Sequence, residues 1–414
     1  MESMFALTLL TLTGLAALAQ DDLLKRPDVR KALDYLQAHH EAHLSKQVEI
    51  AEIPAPTFHE AERARFMAAQ FRRIGLKNVE IDKQGNALGW RAGRSPETMV
   101  VAAHLDISFP VGVNTKVRKE GNRWHAPGLA DDSRGLAALL AIAEGLEYGN
   151  VETRQTLLFV ANVGEEGLGD LIGVKYLFRE SPHKDKLKSF ISIDGTNPSR
   201  IVNGGSGVKR YRISIKGAGG HSYGNFGRPN AIHAAGRMIG RFAAIEVPAS
   251  PKTTYNVGNI KGGTMVNAIA EECTFEIDMR SESPAELDKL ELKMLEAVRL
   301  AIEEENKFRA ASGEKLTGDS KLVGHRPAGR TPETHALIEA AQWASRSTGH
   351  TPRLTFSSTD SNFPISLGVP AVTLGGGGRS DNAHSLKEWF EPAEAWKGPQ
   401  TVLLTVLAFE RSLK

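Results

Sequence analysis

Cysteine is nearly absent from this sequence, since Cys273 is the only one among 414 residues. An intrachain disulfide is therefore excluded, and the folded protein must be stable through its core alone. Cys273 opens the segment Cys-Thr-Phe-Glu-Ile, whose alternation of apolar and polar residues predicts a strand. No cysteine or histidine lies nearby to activate its thiol as a nucleophile, so we interpret Cys273 as a structural residue.

An excess of charge of one sign is also lacking. The 51 Lys and Arg residues nearly balance the 49 Asp and Glu residues, which gives a formal net charge of +2. A protein that binds nucleic acid needs a clustered basic face, and the sequence has no Arg-rich run and no basic stretch interleaved with aromatic residues. The glycine clusters at 204–207 and 375–378 do not match the Gly-x-x-x-x-Gly-Lys-Ser/Thr phosphate loop. We therefore expect neither a nucleic acid nor a nucleotide as ligand.

One uncharged apolar run lies near the N-terminus, from Met4 to Ala19. Its end, Ala17-Leu18-Ala19, has the small-x-small form of a cleavage site, which predicts a signal peptide over residues 1–19 and export to the periplasm or the medium. The residues before the run include Glu2 and no basic residue, so a misassigned start or an uncleaved leader is the alternative, with a cytoplasmic or membrane-anchored protein. At about 16 residues, the run is short for a transmembrane helix.

Short apolar runs at 99–103, 155–163 and 188–193 predict buried strands, and the Ala- and Leu-rich segment 134–146 predicts a helix. Strands that alternate with helices are typical of an α/β domain with a mainly parallel central sheet. We therefore predict this fold class for the larger part of the chain.

The pattern changes after residue 206 to strand, helix, two strands and helix. This order predicts a compact α+β domain of the ferredoxin-like kind. The α/β pattern returns towards the C-terminus. We therefore predict a catalytic domain of residues 20–206 and 326–414, interrupted by an inserted domain of residues 207–325.

Five candidate metal ligands lie in short apolar or glycine-rich settings: His104, Asp131, Glu166, Asp194 and His384. Two imidazoles and three carboxylates suit two Zn²⁺-like divalent ions that share a bridging carboxylate. A pair of metal ions activates water and stabilises both oxygens of a hydrolytic transition state. The sequence therefore predicts a metal-dependent hydrolase.

The positions of these residues relative to the strands support this interpretation. His104 and Asp194 each follow a buried-strand run, and in an open α/β sheet ligands gather beyond the carboxyl ends of the strands. Alternation puts Asp106 on the same side of the chain as His104, so Asp106 can accept the imidazole N–H and fix its tautomer. Taken alone, His-x-Asp is equally typical of a surface pair.

Two pairs of adjacent carboxylates need separate explanations. Asp131 and Asp132 precede a helix in a glycine-flanked loop, where one can bridge two metals and the other can cap the helix. Glu165 and Glu166 follow a strand, and adjacent carboxylates repel one another unless a cation or a proton intervenes. We interpret Glu166 as a metal ligand and Glu165 as a general base, with a solvated surface pair as the alternative.

The order of the motifs resembles that of the co-catalytic zinc peptidases and deacylases, the family of glutamate carboxypeptidase, peptidase T, aminoacylase, acetylornithine deacetylase and succinyl-diaminopimelate desuccinylase. The motifs His-x-Asp, Gly-x-x-Asp-Asp, Glu-Glu, Asp and a late His match in order, over nearly all of the chain after the leader. The resemblance implies a role for each residue. Asp131 bridges the two ions, His104 and Asp194 complete the ligands of one ion, and Glu166 and His384 complete the ligands of the other. Asp106 orients His104, and Glu165 is the general base.

The resemblance extends to the inserted domain, which it identifies as a dimerisation or lid domain. The turn 217–222 implies that His221 reaches a neighbouring active site across a homodimer and stabilises the oxyanion. Asn267 and Arg280 lie in segments that match substrate contacts. One departure is the segment 357–360, Ser-Ser-Thr-Asp, where relatives often have Gly before Thr-Asp. This change bears only on the local shape of that loop, which the resemblance does not predict.

Arg280 has two interpretations. A guanidinium grips a carboxylate through two parallel hydrogen bonds, so Arg280 and Asn267 together predict substrates with a free carboxylate, reached by domain closure. The alternative is a surface ion pair of Arg280 with Asp278 or Glu282.

We therefore predict a zinc-dependent exopeptidase that holds two divalent ions per chain and cleaves the amide bonds of small peptides. An N-acyl amino acid deacylase is the alternative, because both enzymes break an amide bond. A catalytically silent binding protein on the same fold is a hypothesis of another class. Such a protein would have lost Glu165 or a metal ligand, and none is missing here.

Overall fold

The computed structural model describes residues 22–310 and 313–413. The predicted signal peptide, residues 1–19, lies outside the described residues. The described chain forms two compact units, a discontinuous unit of residues 22–204 and 330–413 and an inserted unit, Gly205–Gly329. Within the described residues, no helix is both long and apolar enough to cross a membrane.

Helices and strands are numbered here in chain order. The helices are α1 (Pro27–Ala38), α2 (His40–Ala51), α3 (Ala61–Ile74), α4 (Ser133–Gly149), α5 (Ile172–Arg179), α6 (Ala231–Ala243), α7 (Pro284–Phe308), α8 (Ala336–Ser347), α9 (Asn362–Ser366) and α10 (Lys397–Ser412). The strands are β1 (Lys77–Ile81), β2 (Ala87–Arg91), β3 (Ser95–His104), β4 (Arg118–Glu120), β5 (Arg123–His125), β6 (Gln155–Asn162), β7 (Leu187–Ile193), β8 (Arg200–Gly205), β9 (Gly207–Lys216), β10 (Gly220–His221), β11 (Thr253–Gly262), β12 (Ala268–Ile269), β13 (Glu272–Ser281), β14 (Thr317–Arg326), β15 (Gly329–Arg330), β16 (Arg353–Ser357), β17 (Ala371–Leu374), β18 (Arg379–Asp381) and β19 (Trp389–Glu391).

The discontinuous unit is built on a nine-stranded sheet of order β1-β2-β6-β3-β7-β17-β8-β15, in which β16 also pairs with β8. Its centre is parallel, because β3 pairs in parallel with β6 and β7, and β17 pairs in parallel with β7. The predicted mainly parallel central sheet is therefore confirmed. Parallel strands end at the same edge of a sheet. His104, the last residue of β3, thus lies at the same edge as the loops that follow β6, β7 and β17.

Helices cover both faces of this sheet. On β3, Met99, Val101 and Ala103 belong to one buried apolar cluster, which includes residues of α4 and α10. The alternate residues Val100 and Ala102 belong to a second cluster, which includes residues of α5. Because both faces are buried, the strand is apolar throughout and lacks the alternation of a half-exposed strand.

The inserted unit has a four-stranded antiparallel sheet of order β11-β13-β9-β14. The apolar face of β9 and β13 packs against α6 and α7 and includes Phe275 and the buried Cys273, which lies in a strand as predicted. The other face is polar and carries Arg210, Asp278 and Glu276. The predicted inserted α+β domain is confirmed. The sequence did not predict β14, whose mostly exposed residues lack apolar alternation.

Candidate metal centre

The five predicted metal ligands lie together in the discontinuous unit. The ligand atoms of His104, Asp131 and Asp194 lie within 4.8 Å of one another, and so do those of Asp131, Glu166 and His384. Asp131 is common to both groups. The arrangement therefore provides two three-residue sites that share one carboxylate.

The carboxylate of Asp131 faces a different histidine with each oxygen. Its Oδ1 lies 3.1 Å from His104 Nε2, and its Oδ2 lies 3.0 Å from His384 Nε2. His384 Nε2 also lies 2.8 Å from Glu166 Oε1. A carboxylate with one oxygen directed to each of two sites has the geometry of a bridging ligand.

The electrostatics of these residues fit two divalent cations. Burial and the neighbouring Asp131 raise the pKa of Asp194 to about 6, which shows that the carboxylates destabilise one another's charge. Hydrogen bonds with Asp131 and Glu166 raise the pKa of His384 to about 11, because the neighbouring carboxylates stabilise positive charge at this position. Imidazole and carboxylate donors in this ratio are suited to Zn²⁺ and similar ions, so the residues present fit a pair of such ions.

Asp106, the predicted orienting residue, contacts the imidazole of His104 mainly through its backbone. His104 Nδ1 lies 3.0 Å from the carbonyl oxygen of Asp106 and 3.4 Å from its Oδ1. A proton held on Nδ1 leaves Nε2, which faces Asp131, with a lone pair that can bind a metal ion. The backbone N–H of His104 donates to the Asp132 carboxylate at 3.2 Å, and Asp132 also caps α4 by accepting from the N–H of Gly135 at 3.0 Å.

The Asp106 carboxylate has a second role, which the sequence did not predict. Its two oxygens accept the backbone N–H groups of Glu165 and Glu166, each at 2.9 Å, and the hydroxyl of Thr57 donates to it at 2.9 Å. The neighbouring loop residue Gly164 donates its N–H to the buried carboxylate of Glu60 at 3.0 Å. The loop that carries Glu165 and Glu166 is therefore fixed from two sides.

Glu165 itself is buried beside the predicted ligands. One of its carboxylate oxygens lies in a group with His104 and Glu166 whose ligand atoms are within 4.8 Å of one another. This position is suitable for a general base that acts at the metal centre. It also provides a further carboxylate oxygen for a metal.

Asp360, from the segment that departs from the family pattern, lies behind the centre. It is fully buried and accepts a hydrogen bond from Asn162, the last residue of β6, at 2.8 Å. Burial raises the pKa of Asp360 to about 7. The carboxyl group therefore holds the end of the strand that leads into the Glu165 loop.

His221 lies in the inserted unit and is exposed. Its Nδ1 accepts the backbone N–H groups of Tyr223 at 3.2 Å and Gly224 at 3.3 Å. An accepting Nδ1 places the imidazole proton on Nε2, which becomes an outward hydrogen-bond donor. Asn267 is close by, since its carbonyl accepts the N–H of Ser222 at 2.9 Å.

Arg280 forms an ion pair with Asp278, which is the alternative interpretation of this residue. Its Nε donates to Asp278 Oδ2 at 2.7 Å, and Asp278 Oδ1 accepts from Arg210 Nε at 2.9 Å. Asn267 precedes β13, whereas Arg280 is the last residue but one of that strand, about 26 Å from its first residue, Glu272, at about 3.3 Å per residue. Within one chain, Asn267 and Arg280 therefore lie towards opposite ends of β13.

Comparisons with known proteins match this chain to peptidases and related hydrolases. A model of the peptidase dimerisation domain matches residues 203–305, and a model of peptidase family M28 matches residues 86–205. The protein YqjE of Bacillus subtilis (strain 168) is 26% identical over 347 residues, covering 80% of this chain and 89% of that protein. Acetylornithine deacetylase of Myxococcus xanthus is 25% identical over 383 residues, covering 89% of this chain and 88% of that enzyme.

A solved structure shares the fold. The aminopeptidase PepT from Bacillus cereus ATCC 10987 superposes with a TM-score of 0.70 at 22% identity, covering 90% of this chain and 99% of that chain. The resemblance that the motif order indicated is confirmed by these matches. The matches to peptidases and amidohydrolases support an enzyme rather than a silent binding protein. The structure agrees with this, since it brings Glu165 and all five predicted ligands close together.

Proposed function

We propose that this chain, a metal-dependent hydrolase of peptide or amide bonds, is an exopeptidase that acts on small peptides with two Zn²⁺ ions. The observation that carries the proposal is the position of Asp131, whose oxygens face His104 and His384 at 3.1 and 3.0 Å. In this proposal, one ion is held by His104, Asp194 and Asp131, and the other by Glu166, His384 and Asp131. When bound, two such ions polarise the scissile carbonyl and make water nucleophilic near neutral pH.

Glu165 is the proposed general base. Water attacks the carbonyl carbon of the amide while its proton passes to the Glu165 carboxylate. The carbon–nitrogen bond then breaks, and the same proton passes from Glu165 to the leaving amine. Asp106 holds Glu165 at its backbone N–H, so the position of the base is fixed before the substrate arrives.

His221 is proposed to donate a hydrogen bond from Nε2 to the developing oxyanion. Support comes from the two N–H groups that occupy its Nδ1, and from the peptidase dimerisation model that matches residues 203–305. We propose that the chain forms a homodimer and that His221 acts in the active site of the partner. Asn267 lies next to His221, so we assign both to the same, trans-acting group.

Arg280 is proposed to bind the free carboxylate of the substrate through its terminal guanidinium nitrogens. Asp278 occupies Nε and holds the group in place, since the hydrogen bond is 2.7 Å long. In a homodimer, Arg280 of one chain and Asn267 of the other can contact the same substrate carboxylate, although the two residues lie towards opposite ends of β13 within one chain.

An N-acyl amino acid deacylase is the second candidate, supported by the similarity to acetylornithine deacetylase. The test is to incubate the zinc-loaded protein with di- and tripeptides, their C-terminal amides and N-acyl amino acids. We expect the free peptides to be cleaved fastest, from one end. Faster cleavage of N-acyl amino acids would favour the deacylase, and no hydrolysis of either class by protein that holds two metals would contradict the proposal.

Export is proposed from the apolar run Met4–Ala19 and its Ala-x-Ala end. N-terminal sequencing of the protein from the periplasm or medium should begin near Gln20. A cytoplasmic or membrane-bound protein that retains Met1 would contradict this.

A further inference from the structure

Glu388 is a buried carboxylate beside the metal centre, four residues after His384. Its exposed fraction is 1%. One oxygen accepts the N–H groups of Ala130 at 2.8 Å and Asp131 at 3.2 Å, and the other accepts the N–H of Gly128 at 2.9 Å. A single side chain therefore takes three backbone hydrogen bonds from the loop that carries Asp131.

This loop has irregular backbone, so its N–H groups have no partner in a helix or strand. Gly128 has φ +73°, and a side chain there would approach Ile107 Cγ2 at 2.2 Å. Converging N–H groups of this kind form a concavity that binds an anion. The carboxyl group of Glu388 fills that concavity, and it connects the C-terminal segment to the loop before α4.

The other ligand segments are held by the same means. Asp132 accepts the N–H of His104, and Asp106 accepts those of Glu165 and Glu166. In each case a carboxylate from one ligand segment fixes the backbone of another. Glu388 completes this set, because it fixes Asp131 from the segment of His384, 253 residues away in sequence.

We infer that Glu388 is a positioning residue, which holds Asp131 with one carboxylate oxygen towards His104 and the other towards His384. Its hydrogen bonds go to the backbone of Gly128, Ala130 and Asp131, so it acts on the centre through this loop. The inference rests on the proposed two-metal function, because its effect is on the geometry of the shared ligand.

Glu410 provides a matched control. It is also buried, with an exposed fraction of 6%, and accepts the backbone N–H groups of Arg154 at 3.1 Å and Gln155 at 2.9 Å. Gln155 is the first residue of β6, so these bonds lie at the end of the sheet opposite to the ligands. Glu388→Gln and Glu410→Gln therefore make the same chemical change near and far from the centre. In both variants an NH2 group replaces an accepting oxygen.

The experiment titrates metal-free wild type, Glu388→Gln, Glu410→Gln and Asp131→Asn with Co²⁺ and follows the visible absorption of the bound ion. We expect Glu388→Gln to weaken Co²⁺ binding by about 10–100-fold, the usual effect of removing a group that orients a ligand, and to change the absorption bands. Glu410→Gln should bind with the affinity and spectrum of wild type, even if its melting temperature falls. Equal affinity and spectra in the two Gln variants would overturn the inference.

Asp131→Asn separates the inference from the proposed function. If it binds two Co²⁺ ions as tightly as wild type, the shared-ligand function fails. If only Asp131→Asn is weakened, the function stands and the role of Glu388 fails.

Hydrogen exchange of the metal-free wild type gives a test that needs no variant to fold. The amides of Gly128, Ala130 and Asp131 should be protected, because Glu388 holds them without metal. Rapid exchange of these amides in an otherwise protected protein would show that metal orders the loop, and would overturn the inference.

Discussion

The two units present their functional groups in opposite ways. In the discontinuous unit, His104, Asp106 and Glu165 are buried, and backbone hydrogen bonds from distant segments fix them. In the inserted unit, His221 and Arg280 are exposed, and each is held by groups only two or three residues away. The first unit is thus organised for chemistry within one chain. The second exposes groups that are accessible to a substrate or to another chain.

Glu165→Ala should have the largest effect, since it removes the base from the buried set. Turnover should fall by about 10²–10⁴-fold, the usual contribution of a general base. Metal content should stay at two ions per chain, because the five proposed ligands remain. Steady-state kinetics with metal analysis checks this, and Glu165→Gln is the isosteric control. Near-normal turnover would remove Glu165 from the mechanism.

His221→Ala tests the exposed set and should reduce turnover by about 10²–10³-fold, as expected for the loss of one oxyanion donor. His233→Ala is a control, because His233 is an exposed histidine of the same unit, on α6. Mixed dimers of His221→Ala and Glu165→Ala chains should regain activity, since one of the two sites then has both residues. Absence of rescue in verified mixed dimers would count against action in trans.

Arg280→Lys should have a smaller effect, confined to substrates with a free carboxylate. Lysine cannot reproduce a two-point hydrogen bond, so kcat/KM for a free peptide should fall about 10–100-fold. The value for the peptide amide should change little. Arg210→Lys is the control, because Arg210 contacts the same Asp278. Unaltered kinetics in Arg280→Lys would leave Arg280 as a surface ion-pair residue.

Glu410→Gln should affect catalysis least and change stability instead. Burial raises the pKa of Glu410 to about 7 from an ordinary value of 4.5. The folded state then keeps a proton that the unfolded state has lost, so this group stabilises the fold at low pH and its contribution is lost as pH rises towards 7. The loss amounts to about 3 kcal/mol at most.

Urea unfolding between pH 5 and 8 checks this. Wild type should lose stability with rising pH more steeply than Glu410→Gln. If the free energy of unfolding changes with pH equally in the two proteins, Glu410 is ionised in the folded protein.

The sequence predicted the parts of the molecule that depend on local patterns. Apolar runs marked β3, β6 and β7, and each ligand came directly after one of them or in a glycine-rich loop. No sequence signal separates α1 from α2, because helical spacing continues across His39, where the backbone leaves the helix at φ −99° and ψ 16°. The small sheet of β4, β5, β18 and β19 was also missed, since its three-residue strands are too short for a pattern.

The groups that hold the ligand loops were not predictable in the same way. Thr57, Glu60 and Glu388 contact a side chain or backbone N–H groups that are distant in sequence, and no periodicity marks such a pair. The Asp131 loop gave one indirect signal, its flanking glycine Gly128. Only the fold shows that its N–H groups converge on Glu388.

The contact of Glu388 with residues 128–131 also has a consequence for biosynthesis. A ribosome releases the N-terminal part of the chain, including His104, Asp131, Glu166 and Asp194, long before it has made His384 and Glu388. Until that last segment emerges and packs against the rest of the protein, the nascent chain lacks the proposed ligand His384 and also Glu388, which positions Asp131. With the ligand roles proposed above, hydrolysis requires this last segment, so we expect chains that end before it to be inactive.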